Sequence, residues 1–145
     1  MTSFSFASRI TLEYVQSTFK GTDPLGFTFT EVRSNSLCGT LKVDDRHLRP
    51  GGILNGGISL LLIETMGSAS ACCGIDFEKE NALGLQVSAN HLGIALRGDQ
   101  LRIVSKPIHI GRSTHIWEVN IENQDQKPVS TGRITLMITP QSEQL

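Results

Sequence analysis

Residues 56–71 read Gly-Gly-Ile-Ser-Leu-Leu-Leu-Ile-Glu-Thr-Met-Gly-Ser-Ala-Ser-Ala, small or apolar on almost every face of a helix. A surface helix shows one wet side, so this pattern predicts a helix buried all round. Its only ionisable residue is Glu64. Burying an unpaired carboxylate costs on the order of several kcal/mol or forces it to take up a proton, and glutamate is seldom fully buried. Whatever encloses the helix must therefore leave this carboxylate a partner or a task.

The flanking sequence supplies a sheet. Residues 10–19 place Leu12, Val15 and Phe19 at helical spacing, with Thr11 as cap and Gly21-Thr22-Asp23-Pro24 as stop, which predicts a short first helix. Phe27 and Phe29 alternate with Thr28 and Thr30, and residues 36–43 resume the alternation after Arg33-Ser34-Asn35, which predicts a hairpin. After the apolar helix come four strand-like runs, at 83–92, 100–108, 114–122 and 129–139. In the third, Trp117, Val119 and Ile121 share one face; in the fourth, Ile134, Leu136 and Ile138 do. The breaks at Gly98-Asp99, Gly111-Arg112-Ser113 and Asn123-Gln124-Asp125-Gln126 have hairpin lengths, so the four runs are expected to form an antiparallel meander. The fold class is α+β: an antiparallel sheet wrapped around one long central helix. A chain of 145 residues is expected to form one domain over 1–145. One sheet covers one side of the helix, so a second copy of the chain is expected to cover the rest.

Charge and cysteine usage exclude several classes of partner. A formal net charge of −1 gives no basic field for nucleic acid and no polybasic patch for a membrane. Cys38, Cys72 and Cys73 fit neither a metal spacing nor an even disulfide framework, and no histidine cluster has metal spacing, so no metal is expected. Residues 1–9 lack a basic start followed by a long apolar run, and no stretch approaches about 18 uninterrupted apolar residues. The expectation is a cytoplasmic protein that acts on a small molecule.

Three motifs in order carry a resemblance. They are Pro50-Gly51-Gly52-Ile53-Leu54-Asn55-Gly56-Gly57 leading to Glu64, then Ala82-Leu83-Gly84-Leu85-Gln86-Val87-Ser88-Ala89-Asn90-His91-Leu92, then Lys106-Pro107-Ile108-His109-Ile110-Gly111-Arg112-Ser113-Thr114. Over about residues 25 to 138 the chain resembles the hotdog-fold acyl-CoA thioesterases. The nearest branch holds the dihydroxynaphthoyl-CoA, phenylacetate-pathway and hydroxybenzoyl-CoA enzymes. The resemblance implies hydrolysis of an acyl-CoA with an aromatic or medium acyl group. It implies no cofactor beyond the coenzyme A of the substrate, and a homodimer, paired into a dimer of dimers, whose sites take a glutamate from one subunit and a glycine amide from the other.

On physical grounds a glycine at a helix start brings its N–H close to a ligand, where the first turn also carries partial positive charge, so Gly56 suits a thioester oxyanion. Glu64, two turns on, suits a nucleophile or a base for water, and Ser68, one turn further, suits a hydrogen bond to it. Two positions depart from the resemblance. Relatives usually have histidine where this chain has Asn55, which has a donor and an acceptor but carries no proton at neutral pH, so Asn55 is expected to act in the site by orienting the thioester through hydrogen bonding rather than by proton transfer. They tend to have glutamine where it has Arg49, which is expected to ion-pair with Glu64 and favour the charged carboxylate. For the coenzyme A arm the resemblance implies Gly84, His91, Leu92, Gly93, Ile94, His109, Ile110, Gly111, Arg112, Ser113 and Thr114. Relatives often have arginine where this chain has Gly93, with Arg97 or Lys106 as substitutes. Two other readings stay open: a catalytically impaired binder of acyl-CoA, and an acyl-thioester hydratase or dehydratase.

Overall fold

The structure, a computed structural model, describes residues 4–142. Residues 1–3, where the segment read above for a leader begins, and residues 143–145 of the expected domain lie outside the described residues.

The first helix, α1 (Leu12–Thr18), starts where expected: the Thr11 hydroxyl accepts from the Tyr14 N–H at 3.2 Å. Strands β1 (Thr28–Val32) and β2 (Leu37–Lys42) form the predicted hairpin. The long helix α2 (Gly56–Cys73) follows, then β3 (Glu80–His91), β4 (Gln100–Ile110), β5 (Thr114–Glu122) and β6 (Pro128–Pro140). All pairings are antiparallel, in one six-stranded sheet of order β1-β2-β4-β5-β6-β3.

The predicted meander holds only for β4, β5 and β6. β3 does not pair with β4; it lies beyond β6 at the far edge, with Gly84 opposite Leu136 and His91 opposite Ser130. Gly98-Asp99 is therefore no hairpin turn. Helix α2 leaves β2, crosses the concave face and delivers the chain to that edge, and residues 92–99 carry it back, with Ile53 bridging Leu96 and Leu54 N–H donating to Ala95 O. Local spacing favours adjacent pairing of consecutive strands, but a helix spanning the sheet overrides it.

The core lies between α2 and the concave face. Trp117, Val119 and Ile121 of β5 and Ile134, Leu136 and Ile138 of β6 are buried, on the faces the alternation assigns. The helix answers with Leu62, Ile63, Met66 and Ala69. Ser70, inside this apolar contact, is satisfied: its hydroxyl donates to Met66 O at 2.8 Å and lies 2.7 Å from the Ser105 hydroxyl. By length and composition alone α2 passes for a membrane span, yet half of it is buried within the fold.

Burial around α2 is two-sided although its composition is not. Turning about 100° per residue, Ser59, Leu62, Ile63, Met66, Ala69, Ser70 and Cys73 fall on the arc against the sheet, while Gly57, Leu60, Leu61, Glu64, Thr65, Ser68 and Cys72 fall on the opposite arc, which is open except at buried Ala71 near its C-terminal end. A helix buried all round is thus not what one chain forms. Beside the open arc runs β3, whose outer edge has no strand partner among the described residues and whose Leu85 is 59% exposed.

Candidate active site

The start of α2 is built by the loop before it. Asn55 is extended (φ −68°, ψ 127°) and caps the helix, its Oδ1 accepting from Gly57 N–H at 2.8 Å. Its carbonyl accepts from Ile58 N–H at 2.9 Å, and its own N–H donates to His47 O at 2.8 Å. Of the first helical N–H groups those of Gly57 and Ile58 are spent. The Gly56 N–H has no acceptor among the described residues, so it is the free donor of this helix end.

His91 packs against Gly56. A β-carbon built on Gly56 would lie 2.7 Å from His91 Nε2, a separation that only glycine permits. The other ring nitrogen, Nδ1, lies 2.7 Å from Ser130 Oγ, across the β3/β6 register. Beside the imidazole a cavity of about 350 Å³ runs between Ile53, Leu54, Leu92, Ile94, Ala95 and Val129, with Arg49, Ser59 and Ser130 in its wall. A second, more open concavity lies over Asn55, Gly56, Gly57 and Leu60 beside Val87 of β3. Gly56 and His91 border both.

Glu64 lies half-buried on the open arc. Ser68 Oγ donates to its Oε1 at 3.3 Å, and a β-carbon at Gly84 would sit 3.1 Å from the same oxygen. Gly84, expected on the coenzyme A arm, thus leaves room for the carboxylate. The predicted Arg49–Glu64 ion pair is absent: Arg49 is exposed and its Nη1 donates to Pro50 O at 2.7 Å, and among the described residues Glu64 has no cationic partner. The cause is position, since Arg49 sits on the loop beyond the helix start while Glu64 is two turns along the helix. Thiols offer no substitute nucleophile, because burial pushes Cys72 up to about 11 and Cys73 up to about 12.

Gly56 and Glu64 cannot serve one carbonyl within one chain. Eight residues of helix separate them by about 12 Å along the axis, and an extended glutamate side chain leaves roughly 7 Å of that uncovered. The coenzyme A candidates divide likewise. His91, Leu92, Gly93 and Ile94 lie at the Gly56 end, whereas the turn of His109, Ile110, Gly111, Arg112, Ser113 and Thr114 meets β6 at Ile138, where Ile138 N–H donates to Ser113 O at 2.9 Å. That is eight strand residues from Ser130, about 27 Å. Some expected backbone donors are already engaged: Gly111 N–H with Thr114 O, and the Leu92 and Gly93 N–H groups with Val129 O. Arg112 and Ser113 remain exposed and Thr114 half-buried. Arg97, a proposed substitute for the arginine missing at Gly93, is paired with Asp45; Lys106 is exposed.

Sequence reasoning missed Ser130 and His47. Ser130 becomes a partner of His91 only through strand register. His47 is fully buried, with Nδ1 accepting from Asp44 N–H at 2.9 Å and Nε2 2.7 Å from Leu25 O, and its carbonyl fixes Asn55.

With this geometry in hand, comparison with known proteins is specific. The family model described as Thioesterase superfamily matches residues 51–130. The 1,4-dihydroxy-2-naphthoyl-CoA hydrolase of Escherichia coli is 32% identical over 133 residues, 90% of this chain and 96% of that protein. A crystal structure of a mutant of thioesterase PA1618 from Pseudomonas aeruginosa is 34% identical and superposes with a TM-score of 0.87, covering 93% of this chain and 98% of that one. Thioesterase HI1161 from Haemophilus influenzae is 27% identical with a TM-score of 0.88, covering 97% and 98%.

Proposed function

Because the chain belongs to the thioesterase superfamily, has the hotdog fold and is a thioester hydrolase, we propose that it hydrolyses an acyl-CoA in a site shared between two copies of the chain. The observation that carries this is a free donor at the start of α2, the Gly56 N–H, with a carboxylate on the open arc of the same helix, Glu64, about 12 Å further along the axis. A two-fold axis beside the midpoint between them, residue 60, sets Gly56 of one chain opposite Glu64 of the other. Leu60 and Leu61 lie on the open arc at that point, and the unpaired edge of β3 runs beside it. Exposed Leu92, Ile94 and Leu96 offer a further apolar contact for pairing such dimers.

In this site the Gly56 N–H donates to the thioester oxygen and holds the negative charge that develops on it. Glu64 of the second chain attacks the carbonyl carbon, or takes a proton from the water that does, with Ser68 orienting its carboxylate. The C–S bond breaks and the sulfur leaves as coenzyme A thiol with a proton that comes from the water; where Glu64 itself attacks, that water cleaves the acyl-glutamyl anhydride, releasing the acid and restoring the carboxylate. Asn55 shapes the site as the cap that leaves Gly56 free. The acyl group, aromatic or of medium length, fits the apolar cavity of about 350 Å³, at the lower end of ligand-pocket sizes. The same two-fold brings the second chain's Arg112, Ser113 and Thr114 toward the Gly56 end, where they can hold the coenzyme A phosphates. Free thiols at Cys38, Cys72 and Cys73 support a reducing, cytoplasmic setting.

Thiol release from a panel of aromatic and medium aliphatic acyl-CoAs, for the parent and for Glu64→Gln, tests this reading. Glu64→Gln keeps shape and hydrogen bonds but loses the charge, so turnover should fall by roughly a hundredfold or more with the melting temperature preserved. A folded Glu64→Gln protein with parental turnover refutes it.

A further inference from the structure

Ser130 is only 1% exposed, and among the described residues its hydroxyl has one hydrogen-bonding partner, His91 Nδ1 at 2.7 Å. A buried hydroxyl with no acceptor for its proton is costly, so the hydroxyl donates and Nδ1 accepts. In the neutral ring the proton then resides on Nε2. That nitrogen is the one against Gly56, 2.7 Å from where a β-carbon would stand, on the residue whose N–H has no acceptor among the described residues.

We propose that Ser130 fixes His91 as a second donor at the thioester carbonyl, so that the oxyanion is held by the Gly56 N–H and the His91 Nε2–H together. The inference rests on the acyl-CoA hydrolase reading and extends it with a donor that comes from β3 rather than from the helix. This donor does not depend on residue 55, whose Oδ1 is committed to capping the helix. Ser130 touches no substrate in this account. It is a positioning residue, setting the tautomer and direction of the ring.

Two measurements on the whole protein test this. With histidine labelled in ¹⁵N, long-range ¹H–¹⁵N spectra distinguish the tautomers: His91 of the parent should carry its proton on Nε2, and in Ser130→Ala this preference should relax. Thiol release from the best acyl-CoA of the panel should then show kcat reduced roughly tenfold in Ser130→Ala with KM within about twofold, the scale of weakening one oxyanion donor. His91→Gln, which keeps an N–H donor, should lose less than His91→Ala. A parent His91 protonated on Nδ1, or a folded Ser130→Ala with parental kcat, overturns the inference. Equal losses in His91→Gln and His91→Ala also count against it. A parent that releases no thiol from any acyl-CoA defeats the function reading instead, and the tautomer spectra stand apart from that result.

Discussion

If each site draws Gly56 from one chain and Glu64 from another, two inactive chains should rescue each other. Gly56→Ala disables the donor side: the new β-carbon lies 2.7 Å from His91 Nε2 and 3.2 Å from the ring carbons beside it. The ring must move by roughly 1 Å to reach ordinary contact, and a misplacement of that size in a site is worth up to about a hundredfold in rate. Glu64→Gln disables the other side. Each homodimer then has two defective sites. In a mixed dimer one site combines both defects, while the other has a normal Gly56 from the Glu64→Gln chain and a normal Glu64 from the Gly56→Ala chain. Equal amounts assembling at random give mixed dimers as about one half of the total, each with one of two sites intact, so turnover should recover to about one quarter of the parental value. The assay is thiol release after co-expression under two affinity tags, with composition checked by mass spectrometry and each variant's folding checked by melting. A mixed preparation no more active than the average of the two homodimers would refute the composite site and the 12 Å argument behind it.

Asn55 is tested by separating cap from charge. Asn55→Ala should lower stability by about 0.5–2 kcal/mol in denaturant titration through the lost cap, whereas Asn55→Asp should keep the cap and stability but depress turnover by placing a negative charge beside the Gly56 donor. Gly84→Ala pushes a β-carbon to 3.1 Å from Glu64 Oε1, so turnover should drop roughly tenfold with an unchanged or higher melting temperature; parental turnover would show that Glu64 needs no such cradle. His115 is 3% exposed with its Nδ1 unpartnered among the described residues, and burial, the largest influence, holds its basicity below the usual histidine value. The unfolded chain therefore binds the proton more readily. The stabilisation from keeping this ring neutral is complete above pH about 6.5 and is lost below it, with a slope of at most about 1.4 kcal/mol per pH unit. In denaturant titrations between pH 7.5 and 5 the parent should lose stability relative to His115→Leu as the pH falls, and a pH-independent difference would exclude this role for His115.

The sequence alone determined what depends on local period and residue chemistry. The apolar run fixed a long central helix, alternation fixed which faces of β5 and β6 are buried, and a lone carboxylate two turns from a Gly-Gly start marked the residues to examine. Glycine, the capping asparagine and the acid are legible because their properties belong to single residues and their nearest neighbours. Tertiary structure decided everything that depends on which distant segments meet. It placed β3 beyond β6 instead of beside β4, because α2 carries the chain across the whole sheet. It left Arg49 apart from Glu64 and brought Gly84 to the carboxylate. It also set His91 on Gly56 with Ser130 behind it, 39 residues away in sequence. Even the two-sided burial of α2 is hidden in the sequence: both arcs of the helix are composed of small and apolar residues, and only the sheet, by covering one of them, makes the other a face.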